Sequence, residues 1–127
     1  MLFRSLLAEH GEENAPTAGL GYIRGRVRRI DTLGCRLRIP HVGWNAVHVT
    51  GTSRLFAGIP EGTDFYFVHS FAVDAAEPAA VSAVTDYGVT LTAAVEAGRV
   101  FGTQFHPEKS SRAGRQVLRN FLDLTAC

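Results

Sequence analysis

The stretch Gly102-Thr103-Gln104-Phe105-His106-Pro107-Glu108-Lys109-Ser110 decides how this chain reads. A histidine and a carboxylate stand two residues apart, with proline between them, at the end of an apolar run. On an extended backbone, residues i and i+2 point to the same side, so His106 and Glu108 are expected to face one site. Pro107 fixes its own φ and removes a backbone donor, which stiffens the chain under the pair. An imidazole oriented by a carboxylate supplies the base and the orienter of a nucleophile–base–orienter relay. The nucleophile is not evident anywhere in the 127 residues.

Working outward, Val100 to Phe105 reads as a buried strand, and Ser110 or Ser111 opens a final helix with Val117, Leu118, Phe121 and Leu122 as its apolar stripe. Thr63 to Ser70 is aromatic and β-branched, and its near-continuous apolar character predicts a strand buried on both faces. Ala80 to Thr85 and Val89 to Val95 form a predicted hairpin around Asp86-Tyr87-Gly88. Arg26 to Ile30 and Arg36 to Ile39 alternate polar and apolar residues, as half-exposed strands do. Pro40-His41-Val42-Gly43-Trp44-Asn45 reads as a turn leading into Ala46 to Val49, and Ser53 as the cap of a short helical turn through Leu55 and Phe56. Residues 2–9 read as a short helix, and Gly11 to Gly21 as a loop rich in Gly, Pro, Asn and Thr. One terminal helix cannot cover both faces of so much sheet, so either the sheet is one-sided or its cover lies elsewhere.

The bulk numbers fit one domain, residues 1–127, with one core. Hydrophobic residues make up 46% and charged residues 20%, which places the chain among globular proteins rather than disordered ones. A formal net charge of +1 gives no drive toward nucleic acid or an anionic membrane. No apolar run approaches membrane-spanning length, and no signal-peptide pattern opens the chain. Cys35 and Cys127 give neither a disulfide framework nor metal-type spacing, so a reduced, cytoplasmic chain is the expectation. His41, His48, His69 and His106 show no close ligand spacing, so neither metal nor other cofactor is expected.

Other residues carry blander readings. Gly34 precedes Cys35, but Arg36-Leu37-Arg38-Ile39 after it reads as a strand where a nucleophile elbow would need a helix. Cys35 therefore reads as a structural thiol. Arg24, Arg26 and Arg28 share one strand face and read as solvated charge. Trp44, judged on residue type alone, reads as a core aromatic.

The quoted stretch resembles the His-Pro-Glu signature of the class I, or triad, glutamine amidotransferases. Pro40-His41-Val42-Gly43-Trp44-Asn45, Leu55-Phe56-Ala57-Gly58-Ile59-Pro60-Glu61-Gly62, Phe65-Tyr66-Phe67-Val68-His69-Ser70-Phe71 and Gly19-Leu20-Gly21-Tyr22-Ile23 match as well. Together they resemble the glutaminase subunits of imidazole glycerol phosphate synthases, enzymes of histidine biosynthesis. The resemblance runs from about Met1 to the last helix. It implies an α/β fold of three layers, flavodoxin-like, with a central and largely parallel sheet, here truncated at its N-terminal side. It also implies a triad in which His106 is the general base, Glu108 orients it, and the cysteine sits in a Gly-x-Cys-x-Gly elbow that this sequence lacks. Glutamine would be the substrate, attacked at its side-chain amide to give a thioester and ammonia. The ammonia would pass to a (β/α)₈-barrel cyclase subunit.

By the same resemblance, His69, Ser70 and Phe71 match the segment whose backbone helps hold glutamine. The family usually carries tyrosine where Phe71 stands. Trp44, Asn45 and Lys109 match positions toward the cyclase partner. Met1-Leu2-Phe3 resembles the helix just after the nucleophile. The chain is therefore expected to be the C-terminal part of such a glutaminase, inactive alone. Two roles stay open at this point: a glutaminase portion that needs its missing half, or a non-catalytic module that binds a cyclase-like barrel.

Overall fold

Alternation of apolar and polar residues draws about half of the described residues into strands, because period-2 patterning buries one face of a sheet. The computed structural model describes residues 8–11, 17–18, 23–50, 53–75, 78–97 and 100–125. Strands β1 (Ala8–Gly11), β2 (Thr17–Ala18), β3 (Ile23–Arg29) and β6 (Phe71–Ala75) form a four-stranded sheet in the order β2-β1-β3-β6. Strands β4 (His41–Val49), β5 (Thr63–His69), β7 (Val81–Asp86), β8 (Thr90–Ala97) and β9 (Val100–Thr103) form a five-stranded sheet in the order β5-β4-β7-β8-β9. The helix α1 (Ser111–Thr125) closes the described chain. The chain passes from one sheet to the other at Ser70, whose carbonyl accepts the Ile30 N–H at 2.9 Å.

Parallel pairing, which should dominate a largely parallel sheet, joins β1 to β3. The five-stranded sheet pairs antiparallel throughout. Short connections explain two of these pairs, β7 with β8 and β8 with β9, where a tight turn reverses the chain.

The core lies where α1 covers the five-stranded sheet. Phe65 and Phe67 of β5, Phe101 of β9, Phe105 and Val117 of α1 pack in one buried cluster with Val47, Leu55 and Phe56. Phe65 and Phe105 sit with ring centroids 4.2 Å apart, and Phe56 meets Phe65 edge-on at 6.0 Å. Such geometry adds attraction beyond the area buried. A second cluster joins Ile30, Cys35, Ala72 and Leu91 between the two sheets.

Several expectations are corrected here. The segment read as a turn before Ala46 is strand from His41 onward. Its Gly43 adopts φ 125°, a conformation that residues with a Cβ avoid, and it sits within the ladder opposite Phe67. Residues 36–39 form no strand, so their alternation reports only that Arg36, Leu37 and Arg38 face solvent. Residues 54–58 make turns rather than helix, and the Ser53 hydroxyl bonds the Glu96 carboxylate instead of capping. Strand β5 is buried on one face only: Phe65 and Phe67 are fully enclosed, while Asp64 and Val68 are exposed. The expected helix over residues 2–9 lies largely outside the described residues, and positions 8 and 9 belong to β1. Thr17–Ala18, inside the expected loop, pairs with β1.

Helix α1 starts where Ser110 and Ser111 predict. Its inward stripe is Val117 and Asn120, buried, with Ala113, Phe121 and Leu124 partly buried beside them, whereas Leu122 is 65% exposed. Asn120 takes a buried place because its amide donates to the carbonyls of Leu55 (2.9 Å) and Ala57 (2.8 Å), which fastens the turn after Ser53 to the helix. Gly114 permits the helix to reach the His-Pro-Glu turn. A Cβ there would lie 1.9 Å from the Pro107 carbonyl oxygen, closer than any nonbonded contact. Gly114→Ala is therefore expected to destabilise the fold by ~1–3 kcal/mol, as overpacking does, despite alanine's better helix propensity. Urea unfolding measures it, and an unchanged midpoint would contradict the close approach.

Candidate active site

The His-Pro-Glu segment is built on the free side of β5. In an antiparallel ladder, alternate residues of an outer strand turn their N–H and C=O away from the neighbour. Tyr66 is one of these, and both its groups are engaged: its carbonyl accepts the His106 N–H at 2.9 Å, and its N–H donates to Ser110 Oγ at 2.9 Å. The Ser110 hydroxyl in turn donates to the His106 carbonyl at 2.7 Å. Ser110 is nearly fully buried, and its bonds are partly screened from water. Sequence alone marks it only as a helix opener; its position closing the His-Pro-Glu stretch is the available signal.

His106 has extended backbone, with φ −95° and ψ 101°, but Pro107–Lys109 coils into a 3₁₀ turn. The extended i, i+2 geometry expected for the pair is thus replaced by a turn, which Pro107 favours by its fixed φ at the first turn position. The pair still meets, with His106 Nδ1 3.4 Å from Glu108 Oε2. That is longer than a tight charge-assisted hydrogen bond of about 2.7–2.9 Å, as catalytic contacts often are before substrate arrives. With Nδ1 turned to the carboxylate, Nε2 is the nitrogen left to take a proton, and it has no hydrogen-bond partner among the described residues. Lys109 is exposed at the end of the same turn.

His69 ends β5 opposite His41 of β4. Its Nδ1 lies 2.9 Å from the Phe71 carbonyl and its Nε2 lies 2.9 Å from His41 Nδ1. Both ring nitrogens are therefore occupied within the protein, so the His69 ring offers a ligand no free nitrogen. His41 is stacked between Phe67 (4.9 Å, 18°) and Tyr87 (4.1 Å, 22°), and Asn45 Nδ2 lies 3.2 Å from its Nε2. Burial, then the neighbouring His69, lowers the His41 pKa from 6.5 to about 4. Burial lowers that of His69 too, helped by the nearby His106 and opposed by the bond to the Phe71 carbonyl. Sequence reasoning does not single out His41 as a site residue, although His41 and Asn45, four apart on a strand, share one face.

Strand alternation separates the residues expected to act together at a partner surface. Trp44 is 55% exposed, which overturns its reading as a core aromatic, and it shares its face with Val42 (55%) and Val68 (41%). Its ring meets Tyr66 edge-on at 5.8 Å. Asn45 points to the opposite face, where its amide bonds His41 and the Asp86 carbonyl.

Cys35 is buried, and its thiol donates to the Tyr87 carbonyl at 3.2 Å within the second core cluster, in keeping with its structural reading. Cys127 lies outside the described residues. Arg28 pairs with Asp74 at 3.2 Å on the surface, while the side chains of Arg24 and Arg26 lie outside what is described. Among the described residues no three metal-ligating side chains converge, and no helix is long and apolar enough to cross a membrane.

Comparison with known proteins follows the same lines. The family description "Glutamine amidotransferase class-I" matches residues 14–124. The imidazole glycerol phosphate synthase subunit HisH of Methylococcus capsulatus is 50% identical over 122 residues, covering 91% of this chain and 56% of that protein. The proteins of the same name from Brucella abortus and Pelagibacter ubique are 48% and 40% identical, covering 92% and 94% of this chain and 56% and 57% of those proteins. The chain thus spans somewhat over half the length of these relatives. A crystal structure of a Thermoplasma acidophilum protein, described as part of a GMP synthase, shares the fold, with a TM-score of 0.63 at 20% identity over 79% of this chain and 48% of that one.

The two lowered histidines set a pH dependence. Because the folded pKa of His41 lies below 6.5, the unfolded chain binds the proton first as pH falls. The stability concerned is complete above about pH 6.5 and is lost progressively toward about pH 4, by up to ~3 kcal/mol from His41 alone. Urea midpoints measured across that range should fall with pH, less steeply in His41→Phe, and equal slopes would contradict the buried neutral histidine. Ser110→Ala should cost ~1–2 kcal/mol in the same assay, because it leaves the partly buried Tyr66 N–H without its acceptor.

Proposed function

Because this chain belongs to the class I glutamine amidotransferase family, we propose that it is the histidine- and glutamate-bearing portion of a glutaminase subunit that supplies ammonia to imidazole glycerol phosphate synthesis. The observation that carries the reading is the His106–Glu108 contact at 3.4 Å, held beside His69-Ser70-Phe71 by the Tyr66 and Ser110 bonds. The names of relatives 40–50% identical support the choice of acceptor reaction.

In this reading a cysteine thiol outside the 127 residues gives its proton to His106 Nε2, and Glu108 stabilises the imidazolium through Nδ1. The thiolate attacks the side-chain amide carbon of glutamine. His106 returns the proton to the leaving nitrogen, the C–N bond breaks, and ammonia departs from a glutamyl thioester. Water, activated by the same imidazole, hydrolyses the thioester to glutamate and restores the thiol. The Ser70 and Phe71 backbone holds glutamine in place. Phe71 brings no hydroxyl to that task.

The ammonia passes to a cyclase subunit of (β/α)₈-barrel form, in a cytoplasmic heterodimer. The exposed Val42, Trp44 and Val68 face, together with Lys109 on the His-Pro-Glu turn, is the surface toward that partner. The same apolar face favours a second reading, in which the chain binds a cyclase-like barrel without catalysis.

The deciding experiment supplies the chain with a separate polypeptide carrying the cysteine elbow, adds the cyclase barrel, and follows glutamate release. Activity should appear and fall by ~10²–10⁴ in His106→Ala. Activity indifferent to that substitution would overturn the glutaminase reading. Binding of the barrel without activity under any pairing would establish the second.

A further inference from the structure

We propose that His41 and Asn45 are positioning residues: they fix His69 as a neutral imidazole with its proton on Nδ1, and this tautomer holds the Phe71 carbonyl, and with it the Ser70–Phe71 backbone, in place. Only the statement that this backbone faces glutamine rests on the glutaminase reading.

The hydrogen-bond polarity follows from both ends of the network. At one end the Phe71 carbonyl can only accept, so His69 Nδ1, 2.9 Å away, carries a proton. In a neutral ring Nε2 is then a lone pair, and His41 Nδ1, 2.9 Å from it, must be the donor. At the other end the Ala46 N–H donates to Asn45 Oδ1 at 2.9 Å, which sets the amide's orientation. Asn45 Nδ2 accordingly donates, to the Asp86 carbonyl at 2.7 Å and to His41 Nε2 at 3.2 Å. His41 Nε2 is therefore a lone pair and Nδ1 a donor, the same conclusion reached from Phe71. No donor or acceptor in the network is left over, and reversing any one of these bonds sets donor against donor or acceptor against acceptor.

The surroundings favour the neutral state. His41 lies between the rings of Phe67 and Tyr87, with His69 on one side and Asn45 on the other; His69 has His41 on one side and His106 near enough to repel a second positive charge. A proton added to His41 Nε2 would face the Asn45 amide donor, and one added to His69 Nε2 would face the His41 N–H. The first breaks the bond that orients His41 within β4, and the second breaks the bond that ties β4 to the junction of β5 and β6. The network also fixes Asn45, next in sequence to exposed Trp44, to the segment that follows His69.

The test uses the 127-residue chain labelled with ¹⁵N in its histidine rings, observed by long-range ¹H–¹⁵N correlation from neutral pH downward. Two of the five histidines should show the neutral Nδ1–H pattern and keep it through the range around 6.5 where ordinary histidines titrate. They are assigned by the loss of one signal in His41→Phe and by Asn45→Asp. In Asn45→Asp a carboxylate faces His41 Nε2, so His41 should become doubly protonated at neutral pH while its Nδ1–H still donates to His69, which keeps the Nδ1–H pattern. In His41→Phe the donor to His69 Nε2 is gone, so His69 should change its ring pattern and the Phe71 amide resonance should move. Either wild-type ring found as Nε2–H, or as a cation at neutral pH, overturns the proposal. A His69 ring pattern and a Phe71 amide both unmoved in His41→Phe overturn its second half. None of these readouts depends on glutamine turnover, so a failure of the glutaminase reading would be recognised separately.

Discussion

The peptide groups of Tyr66 are the constraint on which the rest of the site depends. An outer strand of a sheet has backbone groups with no ladder partner, and buried groups of this kind must find one elsewhere. Here the His106 N–H and the Ser110 hydroxyl take those places. The catalytic-type pair is thereby registered to β5 through backbone rather than through flexible side chains. Helix α1 enters at the same point, and the absence of a Cβ at Gly114 lets it lie against the Pro107 carbonyl. The aromatic cluster of Phe65, Phe67 and Phe105 fills the space beneath. Backbone pairing, helix approach and core packing thus agree on one position for His106.

Strand β4 divides two tasks between its faces. Val42 and Trp44 stand out toward solvent, while His41, Asn45 and Val47 turn inward. Because side chains alternate along a strand, neighbours in sequence act in different environments. Trp44 presents an apolar surface, and Asn45 completes an internal polar network one residue away. Both meet the His-Pro-Glu region by separate routes: Trp44 through the Tyr66 ring, Asn45 through His41 and His69.

Much of this is legible in the sequence, and the reasons for the misses are physical. The hairpin of β7 and β8, strand β5 and the start of α1 follow from periodicity and turn chemistry, which act locally. The His106–Glu108 pairing is legible too, although its backbone is not, since a two-residue spacing is satisfied by a strand or by a proline-led turn. Residues 36–39 alternate like a strand but find no partner to pair with, and no local pattern reveals that. Trp44 reads as a core residue because burial of a large aromatic is the usual outcome, yet its face of β4 is left uncovered by α1, which lies on the other side. The roles of Ser110, His41 and Asn120 depend on partners 44, 28 and 65 residues away in sequence, beyond any local rule.

The turn that bears His106 has one more consequence, for solubility. Phe65-Tyr66-Phe67 is a short aromatic run of high strand propensity on an outer strand, the kind of segment that recruits matching strands from other molecules. By occupying both peptide groups of Tyr66, the His-Pro-Glu turn blocks that template at its centre, and the exposed charge of Asp64 discourages docking beside it. The segment that carries the proposed base is also a guard against self-association. Damage to it would act twice, disturbing the His106–Glu108 pair and uncovering a sticky strand.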